Sequence, residues 1–467
     1  MLPNNAGFDK SDLLTIFSND SFINLPGNFI CSGISTDTRT IKKGEIFIAL
    51  SGETSDGHSR IADAFNKGAI ASIINRDWHI QYKENSSQTF IVVPNTLTAL
   101  GSLANYHRKR FNIPVIAIGG ANGKTTTKNI TAHLLSQKYC LLNTYENFNN
   151  QIGVPLMLLQ MTNRHEAALL EMGTNEPGEI SILSSIMEPT HGLITNIGRE
   201  HLEKLIDLDG VEQEETTLFG FLAKRNSTAF INFDDTRLKK YYRLFENVIS
   251  FGIDEEADVK TNIEMDSELH PNMNFSIGER KFTANLQTIA YTTGLNALAA
   301  TSIAIAFGLS DDEIVNGLES YLQAPGHGYG RMILEEIGKI KIINDCYNAN
   351  PDSMAAALKT LDKFKAKGKK YAILGDMREL GEASHEEHCK LLDMASDIAD
   401  LIMVTGDEMK KAVDKGSTKA IEYFSSKEEL VSELKNRIRE GDVLLIKGSR
   451  GMAMEKIIEE LKNNLGT

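Results

Sequence analysis

The chain has 467 residues, 41% hydrophobic and 24% charged, with a formal net charge of −14. That is ordinary globular composition with room for about three domains at ~150 residues each. No apolar run approaches the ~18 residues of a membrane span, and the acidic balance argues against non-specific nucleic-acid binding, so a phosphorylated ligand has to be held by local donors. Cys31, Cys140, Cys346 and Cys389 lie far apart without C-x-x-C spacing, as in a reduced cytosolic protein. The first ten residues lack the basic and apolar regions of a signal peptide, so a cytoplasmic location is expected.

Residues 1–97 read as a small α/β domain. Its strand candidates are Phe47–Leu50, Ala71–Ile74 and Phe90–Val93, with helical spacing over Ile61–Lys67 ended by Gly68. Two polar stretches, Ser35-Thr36-Asp37-Thr38-Arg39 and Ser51–His58, have the composition of ribose- or phosphate-holding loops; taken alone, a solvated turn is the simpler reading.

A helix over Leu97–Phe111 leads into a second domain, 98–324. The apolar run Val115–Ile118 feeds a glycine turn, Gly119–Gly123, then Lys124, Thr125 and a helical stretch, Asn129–Gln137. Strand, glycine loop and helix form the layout of a phosphate-binding loop. Backbone N–H groups and the helix N-terminus face an anion, Lys124 reaches the β/γ-phosphates, and the Thr125 hydroxyl ligates Mg²⁺. The pattern is the shorter Gly120-x-x-Gly123-Lys124-Thr125, because Ile118 stands where the usual motif has glycine. Further strands are predicted at Ala167–Glu171, Gly192–Asn196, Thr228–Asn232 and Val248–Phe251, with hairpin strands over 261–288. Glu171 and His201 follow strand ends, where ligands of parallel α/β sheets sit. The run Glu212-Gln213-Glu214-Glu215 reads as a solvated acidic helix face. Asn296, in the first turn of an alanine-rich helix over Leu295–Phe307, suits a helix cap and a base-edge contact equally.

The glycine-rich connector Ala324–Arg331 marks the second boundary. Beyond it, in 325–467, strands at Ile340–Asn344, Tyr371–Leu374, Leu401–Val404 and Val443–Ile446 alternate with helices in a Rossmann-like domain. The expected fold class is α/β in three domains: a small α/β N-terminal domain, a central P-loop-type ATPase domain with a mostly parallel sheet, and a C-terminal Rossmann-like domain.

These motifs, in this order, resemble the ATP-dependent Mur ligases of peptidoglycan synthesis. The matching stretches are Gly120-Ala-Asn-Gly-Lys-Thr-Thr126, Asn147–Pro155, Glu171-Met-Gly173, Thr195–Leu202, Asp345–Met354, Leu374–Gly381 with His388, and Lys447-Gly-Ser-Arg450. Asp345–Met354 is most like the members that add D-Ala-D-Ala to a UDP-N-acetylmuramoyl-tripeptide. The resemblance implies a UDP-sugar-peptide domain, an ATP domain and a domain for the incoming dipeptide. The acceptor carboxylate is phosphorylated by ATP and then attacked by an amine.

By resemblance, ATP meets Gly120, Asn122, Gly123, Lys124, Thr125, Thr126, Asn296, Arg331 and Asp345. Mg²⁺ meets Thr125, Glu171 and His201. Lys124, Glu171, His201, Glu215 and Arg331 carry catalysis. Substrates meet Ser35, Thr36, Asp37, Arg39, Asn147, Asn149, Asn150, Tyr347, Asn348, Asn350, Lys447 and Ser449. A monomer acting on small molecules is expected.

Three departures stand out. Thr292 replaces a histidine, Glu203–Asp209 replaces a glycine-rich segment, and Glu215 replaces a lysine that the family carbamylates; its carboxylate would stand in for the carbamate. Two alternatives accompany the resemblance: a paralogous Mur-type ligase for another nucleotide-sugar or peptide acceptor, and a nucleotide-binding homologue impaired at Glu215 and Thr292. Nothing resembles the folate loop of folylpolyglutamate synthases, which share the central chemistry.

Overall fold

The structure is a computed structural model describing residues 4, 6–52, 55–81, 87–254, 256–322, 330–413 and 421–465. Most of the 324–331 connector and residues 53–54 of the Ser51–His58 loop lie outside the described residues. The chain forms two compact units. One comprises Met1–Ala117, Tyr139–Gly173 and Glu179–Thr190; the other comprises Ile118–Lys138, Thr174–Gly178 and His191–Thr467.

In the first unit, strands Phe22–Ile23, Phe90–Val93, Ala71–Asn75, Glu45–Ile48 and Gly33–Ser35 form one sheet in that order. Only the Phe22–Ile23 edge is antiparallel. Strands Phe90–Val93 and Glu45–Ile48 are buried throughout. A parallel strand covered on both faces reads as an unbroken apolar run, which is why these strands fall within a few residues of expectation. Helix Thr96–Arg108 starts where the Asn95 side chain accepts from Thr98 N–H at 3.0 Å. Further along the unit, Leu141–Asn143 pairs in parallel with Ala167–Glu171.

In the second unit, strands His191–Ile194, Thr228–Asn232, Val248–Gly252 and Val259–Met265 run parallel in sequence order. Pro271–Ile277 and Arg280–Asn285 extend them antiparallel, as the hairpin pattern predicts. A further sheet has the order Ile333–Ile337, Ile340–Asp345, Val443–Lys447, Lys370–Gly375, Leu401–Thr405, Ile421–Phe424. Its first pair is antiparallel and the others parallel. Alternation along the strands builds two cores. Ile343, Ala372, Leu374, Val404 and Leu445 pack on one face, and Ile342, Tyr371, Ile373, Met403 and Ile446 on the other. This is the expected Rossmann-like layer.

The acidic run requires a correction. Glu212, Glu214 and Glu215 are 7%, 6% and 0% exposed, so the face is buried. Asp207 caps helix Leu208–Glu215, accepting from Asp209 and Gly210 N–H. Each acid then meets its own donors: Glu212 takes Arg237, Lys240 and Tyr241, and Glu214 takes Gly178 N–H and the Thr174 hydroxyl.

Candidate nucleotide site

Strand Val115–Gly119 is buried throughout and delivers the chain to Gly120. Gly120 has φ +108°, and a Cβ there would collide with Thr195 Oγ1. Gly123 has φ +85°, and its Cβ would collide with Asn296 Oδ1. Both positions therefore require glycine. Helix Lys124–Leu135 begins at once, with no side chain capping it. Its first turn presents backbone N–H groups that lack intrahelical acceptors, the structural requirement for a phosphate.

The loop's own amides are used differently from the simple expectation. Gly120 N–H donates to Glu215 Oε2 at 2.7 Å. Ala121 N–H donates to the Asn196 carbonyl at 2.9 Å, and Asn122 N–H to Asn196 Oδ1 at 3.0 Å. The helix N-terminus and Lys124 are the groups placed where an anion would lie. The Lys124 ammonium donates to the Gly120 carbonyl, to Ala121 O at 3.3 Å and to Glu200 Oε2 at 3.3 Å.

His201 lies beside Glu200 with a left-handed backbone, φ +50°. Its Nδ1 is 2.5 Å from Glu379 Oε2 and its Nε2 is 4.0 Å from Glu200 Oε2. Asn296 is not a cap, because helix Tyr291–Ala306 starts five residues earlier; its Oδ1 accepts from Thr127 Oγ1 at 3.3 Å, against the loop helix. Asn350 caps helix Pro351–Lys363 and donates to Asn122 Oδ1 at 3.0 Å. Arg331 stacks on Tyr347, 3.6 Å from the ring centroid. Lys447 is buried, donating to Asp345 Oδ2 at 2.6 Å and Asn348 O at 2.8 Å. Asp345 Oδ1 accepts from Met332 N–H. Ser449 Oγ, also buried, accepts from Arg378 N–H. These partners engage Asp345, Lys447 and Ser449 with the protein itself.

In the other unit, Asn149 donates to Glu171 Oε1 at 2.9 Å, fixing a buried carboxylate. Asn150 accepts from Ile152 and Gly153 N–H, and the Asn147 carbonyl accepts from Asn149 N–H. Ser35 is buried and donates to the Asp37 carbonyl, and Thr36 lies beside it. The exposed Arg39 grips Asp37 through two nitrogens and holds its carboxyl below the usual range.

Two groups escaped the sequence reading. Glu200 and Glu379 become visible only through Lys124 and His201, residues distant in sequence from one or other of them. Among the described residues, Glu200 Oε1 and Glu215 Oε1 are buried without a hydrogen-bond partner. They are hard oxygen donors of the kind Mg²⁺ takes, so the residues fit that ion.

Burial pushes the Glu215 carboxyl up to about 7; Lys124 opposes the rise and Glu200 adds to it. Between the ordinary value of 4.5 and about 7, the folded chain keeps a proton that the unfolded chain has lost. Stability therefore falls as pH rises through that window. Denaturant titrations across it are expected to show wild type losing stability relative to Glu215→Gln; parallel profiles would contradict the assignment.

An uncapped helix behind a glycine loop, with a lysine and buried carboxylates, on an α/β frame, defines a nucleotide-binding protein of the phosphate-loop kind. Residues 31–108 match the catalytic domain of the Mur ligase family, 118–304 the Mur ligase middle domain, and 330–450 the Mur ligase glutamate ligase domain. The chain is 32% identical over 438 residues to the UDP-N-acetylmuramoyl-tripeptide–D-alanyl-D-alanine ligase of Bacillus subtilis, covering 92% of this chain and 93% of that protein. MurF from Acinetobacter baumannii superposes with TM-score 0.89 at 29% identity, over 99% of this chain and 100% of that one. MurF ligase from Thermotoga maritima in complex with ADP does so with TM-score 0.84 at 28% identity, over 93% and 97%. The chain belongs to the Mur ligase family, with its three-domain α/β architecture.

Proposed function

We infer that this chain is an ATP-dependent, ADP-forming amide ligase that joins D-Ala-D-Ala to a UDP-N-acetylmuramoyl-tripeptide in peptidoglycan precursor synthesis. The observation that carries this reading is near-full-length similarity to ligases of that name, together with the built nucleotide loop.

A carboxylate is a poor electrophile. Transfer of the γ-phosphoryl group supplies a leaving group, the dipeptide amine adds to the acyl carbon, and the tetrahedral intermediate expels phosphate. Lys124 and the helix N-terminus offset phosphate charge, preorganised before the nucleotide arrives. Thr125, Glu171 and His201 would hold Mg²⁺, which supplies charge neutralisation for phosphoryl transfer when bound. Gly120, Asn122, Gly123, Thr126, Asn296, Arg331 and Asp345 line the nucleotide side in this reading. Glu215 contributes a fixed carboxylate without the carbamylation that a lysine would need. Ser35, Thr36, Asp37, Arg39, Asn147, Asn149 and Asn150 serve the nucleotide-sugar peptide, and Tyr347, Asn348, Asn350, Lys447 and Ser449 shape the dipeptide side.

Domain limits at 97/98 and 324/325 belong to the same proposal, supported by the matched ranges 31–108, 118–304 and 330–450. So do a monomeric state and a cytoplasmic location; among the described residues, no helix is long and apolar enough to cross a membrane.

The test crosses UDP-muramoyl peptides with candidate dipeptides and follows phosphate release and product mass. Release is expected only with acceptor and D-Ala-D-Ala together, giving the sum of their masses less water. Release independent of the acceptor, or preference for another amine, would overturn the assignment.

A further inference from the structure

A cavity of about 420 Å³ opens in the second unit between segments distant in sequence. Ile263, Met265, Leu269 and Tyr291 give it apolar and aromatic walls, and Lys363 and Lys365 reach it from the end of helix Pro351–Lys363. Asp266 and Ser267 complete the rim. Small-molecule sites run to roughly 300–1,000 Å³ and share this make-up, mostly apolar with a few polar groups that orient the ligand. Residues 263–291 lie in the range matched by the middle domain and 363–365 in that of the glutamate ligase domain.

The cavity is separate from the nucleotide loop. Tyr291 and Asn296 stand five residues apart on one helix, so their side chains point roughly 140° apart at about 3.6 residues per turn. Lys341 pairs with Glu268 at 3.5 Å and lies 5.4 Å from the Phe364 ring centroid, which puts it at the cavity's edge. Asp345 is four residues further along strand Ile340–Asp345, roughly 13 Å away at about 3.3 Å per residue.

Charge and backbone both mark the place. Lys363 Nζ lies 5.7 Å from the Tyr291 ring centroid, and among the described residues neither Lys363 nor Lys365 forms an ion pair with a carboxylate. The acids of the rim are already engaged. Asp266 accepts from the Glu268 and His270 N–H groups and lies 3.1 Å from His270 Nδ1, and Glu268 meets Lys341. Two ammonium groups are thus left beside an apolar wall. Leu269 and Ala290 frame that wall with left-handed backbone, φ +66° and +84°, joined by an Ala290 N–H bond to the Leu269 carbonyl at 3.0 Å. Such backbone is uncommon in residues other than glycine and collects at ligand clamps. Burial, reinforced by Asp234, holds the Tyr291 hydroxyl above its usual range, so the phenol stays a neutral donor.

We propose that this cavity binds a small organic phosphate monoester, its ring or apolar part against Met265, Leu269 and Tyr291 and its phosphate between Lys363 and Lys365. Two ammonium groups suit the dianion, and the wall suits a ring that inorganic phosphate lacks. The proposal is independent of the ligase reading. Because both matched segments line the cavity, an occupant holds them as they are packed here and stabilises the folded chain by mass action.

The probe is phenyl phosphate, titrated by calorimetry into protein saturated with ADP and Mg²⁺ so that the nucleotide loop does not compete. One saturable site with Kd of about 1 mM or tighter is expected. Inorganic phosphate and phenol each carry half of the recognised chemistry and are expected to bind about tenfold more weakly or worse. Lys363→Gln combined with Lys365→Gln is expected to weaken phenyl phosphate by about tenfold or more. Both lysines are exposed, so circular dichroism should be unchanged. With methyl-labelled methionine, the resonance assigned to Met265 by its loss in Met265→Leu should move on titration of wild type and stay in place in the double variant. No saturable binding below about 10 mM, equal affinity for inorganic phosphate, undiminished binding to the double variant, or binding that leaves the Met265 resonance unmoved would each overturn the proposal.

Discussion

Lys124→Ala is expected to lower kcat/KM by at least about a thousandfold, the scale on which removal of a preorganised charge-stabilising donor acts. The sequence places Lys124 on a glycine loop, and the structure shows why the loop cannot compensate for it. Gly120, Ala121 and Asn122 already donate their amides to Glu215 and Asn196, so in the proposed reading the lysine and the first turn of helix Lys124–Leu135 would carry the phosphate charge. The side chain is 14% exposed and packs over loop backbone, so its loss opens no cavity in a hydrophobic core, and the variant is expected to be destabilised but still folded. Its removal also leaves Glu200 without its ammonium. Circular dichroism establishes folding, and single-turnover phosphate release reads the chemical step. A folded variant with near-wild-type release would remove Lys124 from the mechanism.

Lys447→Met is expected to cost about 3–5 kcal/mol of stability, the usual result of breaking one side of a buried ion pair. The Lys447 and Asp345 side chains are 2% and 11% exposed, with Nζ 2.6 Å from Oδ2. The methionine fills the space but leaves the Asp345 carboxylate buried without its ammonium, with Met332 N–H on its other oxygen. The pair joins adjacent parallel strands, Ile340–Asp345 and Val443–Lys447, at their carboxyl ends. Asp345→Asn in the Lys447→Met background should recover much of the loss, because the uncompensated charge is gone. Urea titrations of wild type, both single variants and the double variant form a cycle that isolates the pair. A stable Lys447→Met whose defect lies in KM for the dipeptide would show instead that Lys447 serves the substrate more than the fold.

The parallel strands and the loop were legible because their signals are local. Phe90–Val93, Ala167–Glu171 and Thr228–Asn232 are runs of consecutive apolar and β-branched side chains, the first stopped by Pro94 and the others by Glu171 and Asn232, and the strands of the structure have those same limits. Glycines at 120 and 123 likewise announce a backbone that only glycine adopts easily. Burial of charge is not local. The run from Glu212 to Glu215 looks solvated in one dimension, yet its partners come from Gly120, Thr174, Gly178, Arg237, Lys240 and Tyr241. Lys124 finds Glu200 across 76 positions and Lys447 finds Asp345 across 102. Sequence alone determined the α/β class, the order of motifs and the place of the phosphate loop, since these follow from side-chain periodicity and backbone stereochemistry. Only the tertiary structure decided which acids lie beneath that loop and which lysine is buried, because the cost of a buried charge depends on counter-charges and donors that the fold brings from elsewhere in the chain.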